Sequence, residues 1–548
     1  MDDITKANLI LENKFVFDED GDMERCLLIG SNDPLDWNFS LNSDPEWTFM
    51  LNRFTYLELL TRVYRKTSEI KYINHGKYLI ENWIENVELV PSHMTRTLDT
   101  GMRIYHFIEF ALNNKDLLSS DFFETLNKSI KNQVIFLDQN YLKRHFLSNW
   151  GLVQKIGIAV AGLYLVDNNM YESAIADLDK MIRAQYIDGG YIHWERCIGY
   201  HNFMILWLLR LNEYEQKYGK ELSFKNQIKK MIETTEITTD LFGSQINNGD
   251  SDLTKTVFLI NKYERLYKTK VNCKHEKLFK SYGLYVKKQN DSMLSCYNQS
   301  MSSNHSHADF THFNYINKDF KILDGGRYTY TETNKREYYK IYAHNNLIID
   351  GESSMGYVSS WETSAYPTIN PIYVYDGKNT FIEMSYFDPK RSLFVKRRII
   401  YTKNNDLIVF DHIECQGEHT VVTNLLVENY QEKYFKTDNK FTIEDSYYSP
   451  LYNIEKSCQK IIISEKFKNE YTQLMIFGSA EGYNINKVKR NLKPLSYNIA
   501  MYAEKNGQYY VNIFKEISDS PKTLEVGDYI FYGRTCSIFD DGGIEIYR

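Results

Sequence analysis

The feature that most constrains this chain is a change of periodicity near residue 270. From about residue 45 to 265, apolar residues recur at three- and four-residue spacing, as in Trp47, Met50, Leu51, Phe54, Leu57 and Leu60. That spacing sets one apolar stripe along a helix. Similar stripes run through Tyr78–Ile84, Met102–Leu112 and Leu152–Leu165, and through Phe203, Leu206, Trp207 and Leu209, with polar turns between them. Beyond about 270, β-branched runs such as Leu407–Phe410, Thr420–Val422 and Lys460–Ile463 alternate with Gly325-Gly326, Asn404-Asn405-Asp406 and Asp540–Gly543. Short strands punctuated in this way predict an antiparallel sandwich or a related architecture. The chain therefore reads as a multidomain α+β protein, with a helical domain over 1–270 and an antiparallel β domain over 271–548.

Composition narrows the function classes. Aromatic residues make up 15% of the 548 residues, including 44 Tyr and 30 Phe, and flat aromatic faces suit the apolar C–H faces of sugar rings. Compositional bias explains the same excess. The net charge of −7, with no basic arm, zinc-finger spacing or glycine-rich phosphate loop, points away from nucleic acid. A polyanion would need a locally basic cleft. Seven scattered cysteines argue against a disulfide framework and fit a reducing compartment. Met1–Lys6 shows no basic start before an apolar run, so no signal peptide is expected. No stretch is long enough to span a bilayer. The cytoplasm is the default location, although a trimmed secreted chain would look the same.

The sharpest local pattern is Asn304-His305-Ser306-His307-Ala308-Asp309. In an extended strand its two histidines and Asp309 share a face. With Asp324 and His344 downstream, a His/Asp/His set would suit zinc; solvated histidines on a surface strand are the alternative. In the helical half, Asn149 stands at the start of an apolar helix and could be a cap. Asp188-Gly189-Gly190, Glu195 and Gly199-Tyr200-His201 gather polar groups around a turn. Tyr200 could equally be a core tyrosine, and His201 its packed neighbour. Arg96 and Arg103 could form an anion site or a solvated helix face.

Taken in order, these pieces resemble the heparinase II/III family. The resemblance is carried by Trp47-x-x-x-Leu51-Asn52-Arg53, Asn82-Trp83-Ile84 and Leu98-x-x-x-Met102-Arg103-Ile104. It continues through Asn149-Trp150-Gly151, Asp188-Gly189-Gly190 and Tyr200-His201, then His305-x-His307-x-Asp309, Asp324-x-Gly326 and Ala343-His344-Asn345. It implies an N-terminal incomplete (α/α) toroid followed by a C-terminal antiparallel β-sandwich. It also implies a lyase that cuts an acidic, uronate-containing polysaccharide or oligosaccharide by β-elimination. Asn149 then matches the residue that binds the uronate carboxylate, and Tyr200 and His305 match the acid and base, in an order left open. His307, Asp324 and His344 match the ligands of one divalent metal (zinc or calcium) with a structural role. Arg103, Arg96, Trp150, His201 and Arg336 are the candidate substrate contacts.

Two departures stand out: Trp150 sits where many relatives carry histidine, and the missing signal peptide is unusual for the family. Two other functions compete with the lyase. One is a non-catalytic acidic-glycan-binding or assembly protein. The other is a glycoside hydrolase, which would need flanking carboxylates such as Asp188 and Glu195.

Overall fold

The computed structural model describes residues 1–17, 27–29, 35–40, 45–272, 274–299, 305–330, 341–359, 362–515 and 523–548. Among the described residues, eleven α-helices end with Val257–Tyr267, and the main sheet begins at Glu276–Phe279. This is an α+β order, helices first and strands second. None of the described helices is long and apolar enough to cross a membrane.

The helix Asn149–Tyr164 is the centre of the helical half. Its buried residues include Leu152, Val153, Ile156, Ile158, Val160 and Leu163, which lie all round its circumference, so it must be covered on every side. It packs between helices Thr97–Asn113 and Asn168–Gln185. The first crossing is close because both helices place glycine there: a Cβ on Gly157 would stand 2.5 Å from the Gly101 carbonyl oxygen.

The apolar stripe from Trp47 to Leu60 is divided between two helices, Pro45–Arg53 and Tyr56–Thr67. Phe54 between them adopts φ +63°, which ends the first helix. Its fully buried ring packs on Trp37, Tyr56 and Phe107 at 5.2, 5.2 and 4.8 Å between centroids. Burial of a phenyl ring, worth about 1.5–3 kcal/mol, offsets the backbone cost.

Among the described residues, the β half is dominated by a fourteen-stranded sheet. The runs that read as short strands belong to two long ones, Leu407–Val427 and Ile454–Phe477. These pair antiparallel from Leu407↔Phe477 to Val427↔Gln459, with a register shift between Glu414 and Glu418. Gly417, at φ +98°, lies in that irregularity, which bends the pair without ending it. Val409, Leu425, Ile461 and Met475 share one core with Tyr285, Leu294, Phe313 and Tyr315 from the other end of the sheet. Five- and four-stranded sheets complete the C-terminus.

The two halves dock through an apolar cluster. Ile192, Ile198, Ile237 and Ile246 meet Phe279, Tyr282, Leu284, Val286, Met293 and Tyr297. Beside it the Asp188 carboxylate accepts the backbone N–H groups of Ser281 and Tyr282 at 2.8 and 2.9 Å. The Arg196 guanidinium donates to the carbonyls of the same two residues. This clamp fixes the turn after the first strand against the helical half.

Candidate active site

A cleft of about 1710 Å³ opens beside this junction, lined by residues of both halves. Asn149, Tyr200 and His305 all line it, although more than 100 positions separate Tyr200 from His305 in the chain.

Asn149 is the first residue of its helix. Ser148, not Asn149, is the N-cap, its hydroxyl accepting the Trp150 N–H at 3.2 Å. Capping leaves the Asn149 amide for the cleft, where its Nδ2 donates to Glu195 Oε2 at 3.0 Å. That contact fixes the amide with its N–H groups, rather than its oxygen, on the Glu195 side. Gly151 is needed two residues on, because a Cβ there would lie 2.1 Å from the His145 carbonyl oxygen.

Tyr200 sits in the first turn of the helix Ile198–Lys217. Residues 247–252 hold that turn: the Ile198 N–H donates to Asn248 Oδ1 at 3.1 Å, and the Gly199 N–H to Ser251 Oγ at 2.9 Å. From the β half, the His305 ring stacks on the Tyr200 ring at 3.9 Å and 24°.

Behind His305 stands Asp250, a residue the sequence reading did not single out. Its carboxylate lies 2.8 Å from His305 Nδ1 and 2.9 Å from His307 Nε2. Burial pushes the Asp250 carboxyl up, but the hydrogen bonds from the two histidines outweigh it and hold the group well below the usual range. Burial also lowers His307, against the pull of Asp250. The arrangement is thus an ionised carboxylate between two ring N–H donors. With its proton on Nδ1, a neutral His305 carries its lone pair on Nε2.

The remaining candidates divide. Arg96 and Trp150 line the cleft, with the Arg96 guanidinium 3.5 Å from the Phe49 ring and 5.0 Å from the Trp150 ring. Arg96 is also bound to Asp99 at 2.5 and 3.0 Å. Arg103 is not a cleft residue. It is fully buried over the Trp83 ring and donates to Gln133, Thr100 and the carbonyls of Asn52 and Met94. It braces helices instead. His201 is likewise buried, its Nε2 bonded to the Met231 carbonyl at 3.1 Å. Burial lowers its pKa to about 3, so it is a neutral packing residue. Arg336 and Asn304 lie outside the described residues. Asp188 is engaged in the clamp and does not line the cleft, and Glu195 is engaged by Asn149, so these two do not form a pair flanking a bond.

Among the described residues one donor cluster fits a metal: His312, Asp324 and His344, all buried, with ligand atoms within 4.8 Å of one another. This set replaces the expected His307 by His312. The hydrogen bonds qualify the replacement. His312 Nδ1 accepts the Asn345 N–H at 2.9 Å, so a neutral His312 carries its proton on Nε2, the atom facing Asp324 at 3.2 Å. A protonated nitrogen cannot ligate. Asp324 and His344, whose Nδ1 lies 2.8 Å from Asp324 Oδ2, fit better than His312. The His307 ring stands 5.4 Å from that of His344.

Comparison with known proteins agrees with this architecture. The family model described as heparinase II/III N-terminus matches residues 4–269, and the heparinase II/III-like C-terminal model matches 274–442. No curated protein matches the sequence. Among solved structures, heparinase III is 16% identical, with a TM-score of 0.75 over 93% of this chain and 90% of that one. The heparan sulfate lyase of Pedobacter heparinus is 16% identical, with a TM-score of 0.63 over 94% and 90%. The chondroitin AC lyase of Streptomyces coelicolor A3, solved with chondroitin sulphate, is 8% identical, with a TM-score of 0.58 over 87% and 82%. At such identities the likeness is one of fold. The two family matches, contiguous over the helical half and most of the main sheet, carry the assignment: the chain belongs to the heparinase II/III family.

Proposed function

We propose that this protein cleaves a uronic-acid-containing glycan by β-elimination and leaves an unsaturated uronate end. Family membership gives the class, a carbon–oxygen lyase acting on polysaccharides. The glycan, of the heparin/heparan sulfate type or another acidic polymer, belongs to the proposal, as do the toroid and sandwich descriptions of the two halves and a boundary near 270. The observation that carries the reading is that Asn149, Tyr200 and His305 open onto one cleft.

The proton beside a uronate carboxylate is weakly acidic while that carboxylate keeps its full charge. In this reading the Asn149 amide donates to the carboxylate as negative charge moves onto it. His305, its Nδ1–H on Asp250, offers Nε2 to the proton, and Asp250 stabilises the imidazolium that forms. Tyr200 gives its proton to the departing glycosidic oxygen. On a uronate whose proton and leaving oxygen share one face, Tyr200 serves both steps. Trp150, Trp194 and Tyr452 in the cleft wall supply faces for the sugar rings.

One divalent metal, zinc or calcium, is proposed at His307, Asp324 and His344. These residues would hold it, and its role would be structural: bracing the segment that presents His305. Chelation should then lower the melting temperature, and zinc or calcium should restore it. A melting curve indifferent to chelator would remove the metal.

The test of the main reading is ultraviolet absorbance of the unsaturated product across a panel of acidic glycans. Activity on at least one is expected, and Tyr200→Phe should abolish it with the fold intact. Binding without double-bond formation would instead mark a non-catalytic glycan-binding protein.

A further inference from the structure

A phenol in water titrates near about 10, so a tyrosine that exchanges protons near neutral pH needs donors or positive charge aimed at its oxygen. The structure supplies a directed array that ends at the Tyr200 oxygen. Asp252 and Arg327 form a two-point ion pair, Nε to Oδ1 at 3.0 Å and Nη2 to Oδ2 at 2.8 Å, with both residues buried. That fork leaves Nη1 to donate to the Tyr330 hydroxyl oxygen at 2.8 Å. Tyr330 Oη lies 3.5 Å from Tyr200 Oη. Because Arg327 has only donors, it occupies a lone pair of Tyr330 and directs the Tyr330 proton onward. The Tyr330 ring is itself placed by Tyr452, whose ring is 5.4 Å away and whose hydroxyl accepts the Tyr330 N–H at 3.0 Å.

We infer that Tyr330, oriented by Arg327 and Asp252, is a positioning residue that aims a hydrogen-bond donor at the Tyr200 oxygen and favours its phenolate. This deepens the lyase reading and rests on it for its purpose. It bears on the route in which the sugar proton and the leaving oxygen share one face: there the Tyr200 oxygen takes up the proton from the sugar and passes it to the departing oxygen, while Tyr330 keeps its own proton throughout. Among the described residues, these charged and titratable groups face the Tyr200 phenol. His305 is stacked on its face and backed by Asp250; Tyr330 is backed by Arg327 and Asp252; Glu195 stands on the Asn149 side of the cleft.

The test needs no glycan. Tetranitromethane attacks the phenolate form of tyrosine, and peptide mass spectrometry reads each tyrosine separately. Full-length wild type and Tyr330→Phe are nitrated across a pH series. The variant removes one oxygen and keeps the ring on Tyr452. Below its titration midpoint, Tyr200 should be nitrated about tenfold more slowly in the variant, as loss of a charge-assisted hydrogen bond implies. Its midpoint should move to higher pH, while the exposed Tyr532 is unchanged. An identical Tyr200 profile in both proteins overturns the inference, even if the wild type proves an active lyase. A shifted profile supports it, even if no glycan is cut. Should Tyr330→Phe fail to fold, Arg327→Lys keeps the charge but loses the fork, and the same shift is expected. In an active enzyme, Tyr330→Phe should also move the acidic limb of the kcat/KM profile upward; lower activity with an unmoved profile would indicate a merely structural role.

Discussion

Asp250 shows how one side chain decides what its neighbours can do. An ionised carboxylate between two imidazoles accepts a proton bond from each and fixes both tautomers. Asp250→Asn keeps the shape but has one acceptor oxygen for two imidazoles; with that oxygen turned to His307, the amide N–H drives the His305 proton to Nε2 and removes its lone pair from the cleft. If His305 is the base, kcat should fall on the order of 10³–10⁴-fold with KM little changed, by analogy with a tautomer-setting aspartate elsewhere. Product absorbance under saturating glycan measures it, and an unchanged kcat would take His305 out of the chemistry. The ordered motifs single out Asn149, Tyr200 and His305, and the fold brings these three to one cleft. They do not single out Asp250. Asn247-Asn248-Gly249-Asp250-Ser251-Asp252 reads as a solvated turn by composition, yet every residue in it whose side chain is polar is buried. Its one external sign is Gly249, at φ +52°, where a Cβ would lie 2.3 Å from the His305 carbonyl oxygen. That approach is a tertiary fact, invisible in one sequence. Arg103 failed for the converse reason: an arginine on an apolar helix looks the same whether its guanidinium faces a ligand or four protein acceptors.

At the scale of elements, close helix crossing places the site. The helix carrying Asn149 crosses Thr97–Asn113 glycine to glycine, and the nearest atoms to a Cβ at Gly157 are backbone, at 2.5 and 3.0 Å. Backbone cannot rotate away as a side chain can. Gly157→Ala, favourable by helix propensity alone, should therefore destabilise the protein by about 1–3 kcal/mol, read as a lower urea midpoint. A stabilised variant would mean the crossing has slack. Helix existence followed directly from the three-and-four spacing, and the switch near 270 marked where strands begin. Element boundaries did not follow. The stripe from Trp47 to Leu60 is continuous in pattern, but the chain turns at Phe54 because a buried ring outweighs its backbone strain. The long strands were read as fragments because a bulge interrupts alternation without interrupting pairing.

At the scale of the whole molecule, the cleft exists because helices far apart in sequence are tied across its wall. Glu58, on the helix Tyr56–Thr67, meets Arg210 at 2.9 Å, on the same helix that carries Tyr200 in its first turn. Burial pushes the Glu58 carboxyl up, but Arg210 and then His106 outweigh it and hold the pKa at about 2. In the unfolded chain the group titrates near about 4.3. The folded protein thus keeps Glu58 ionised at acidities where the unfolded chain has already bound a proton. Its contribution to stability is fully present above the unfolded value, declines as pH falls through the interval between the two, and is gone below about 2. Glu58→Gln removes that linkage. The variant should be less stable than wild type at pH 7, and the gap in urea midpoint should narrow steadily below about pH 4. Because Glu58 is more than one-third exposed, solvent screening keeps the gap modest, and high salt should shrink it further. A gap constant from pH 7 down to 3 would mean that the charge on Glu58 does not stabilise this wall, and Arg210 would then brace its helix against Thr97–Asn113 instead, through its stacking over Tyr105.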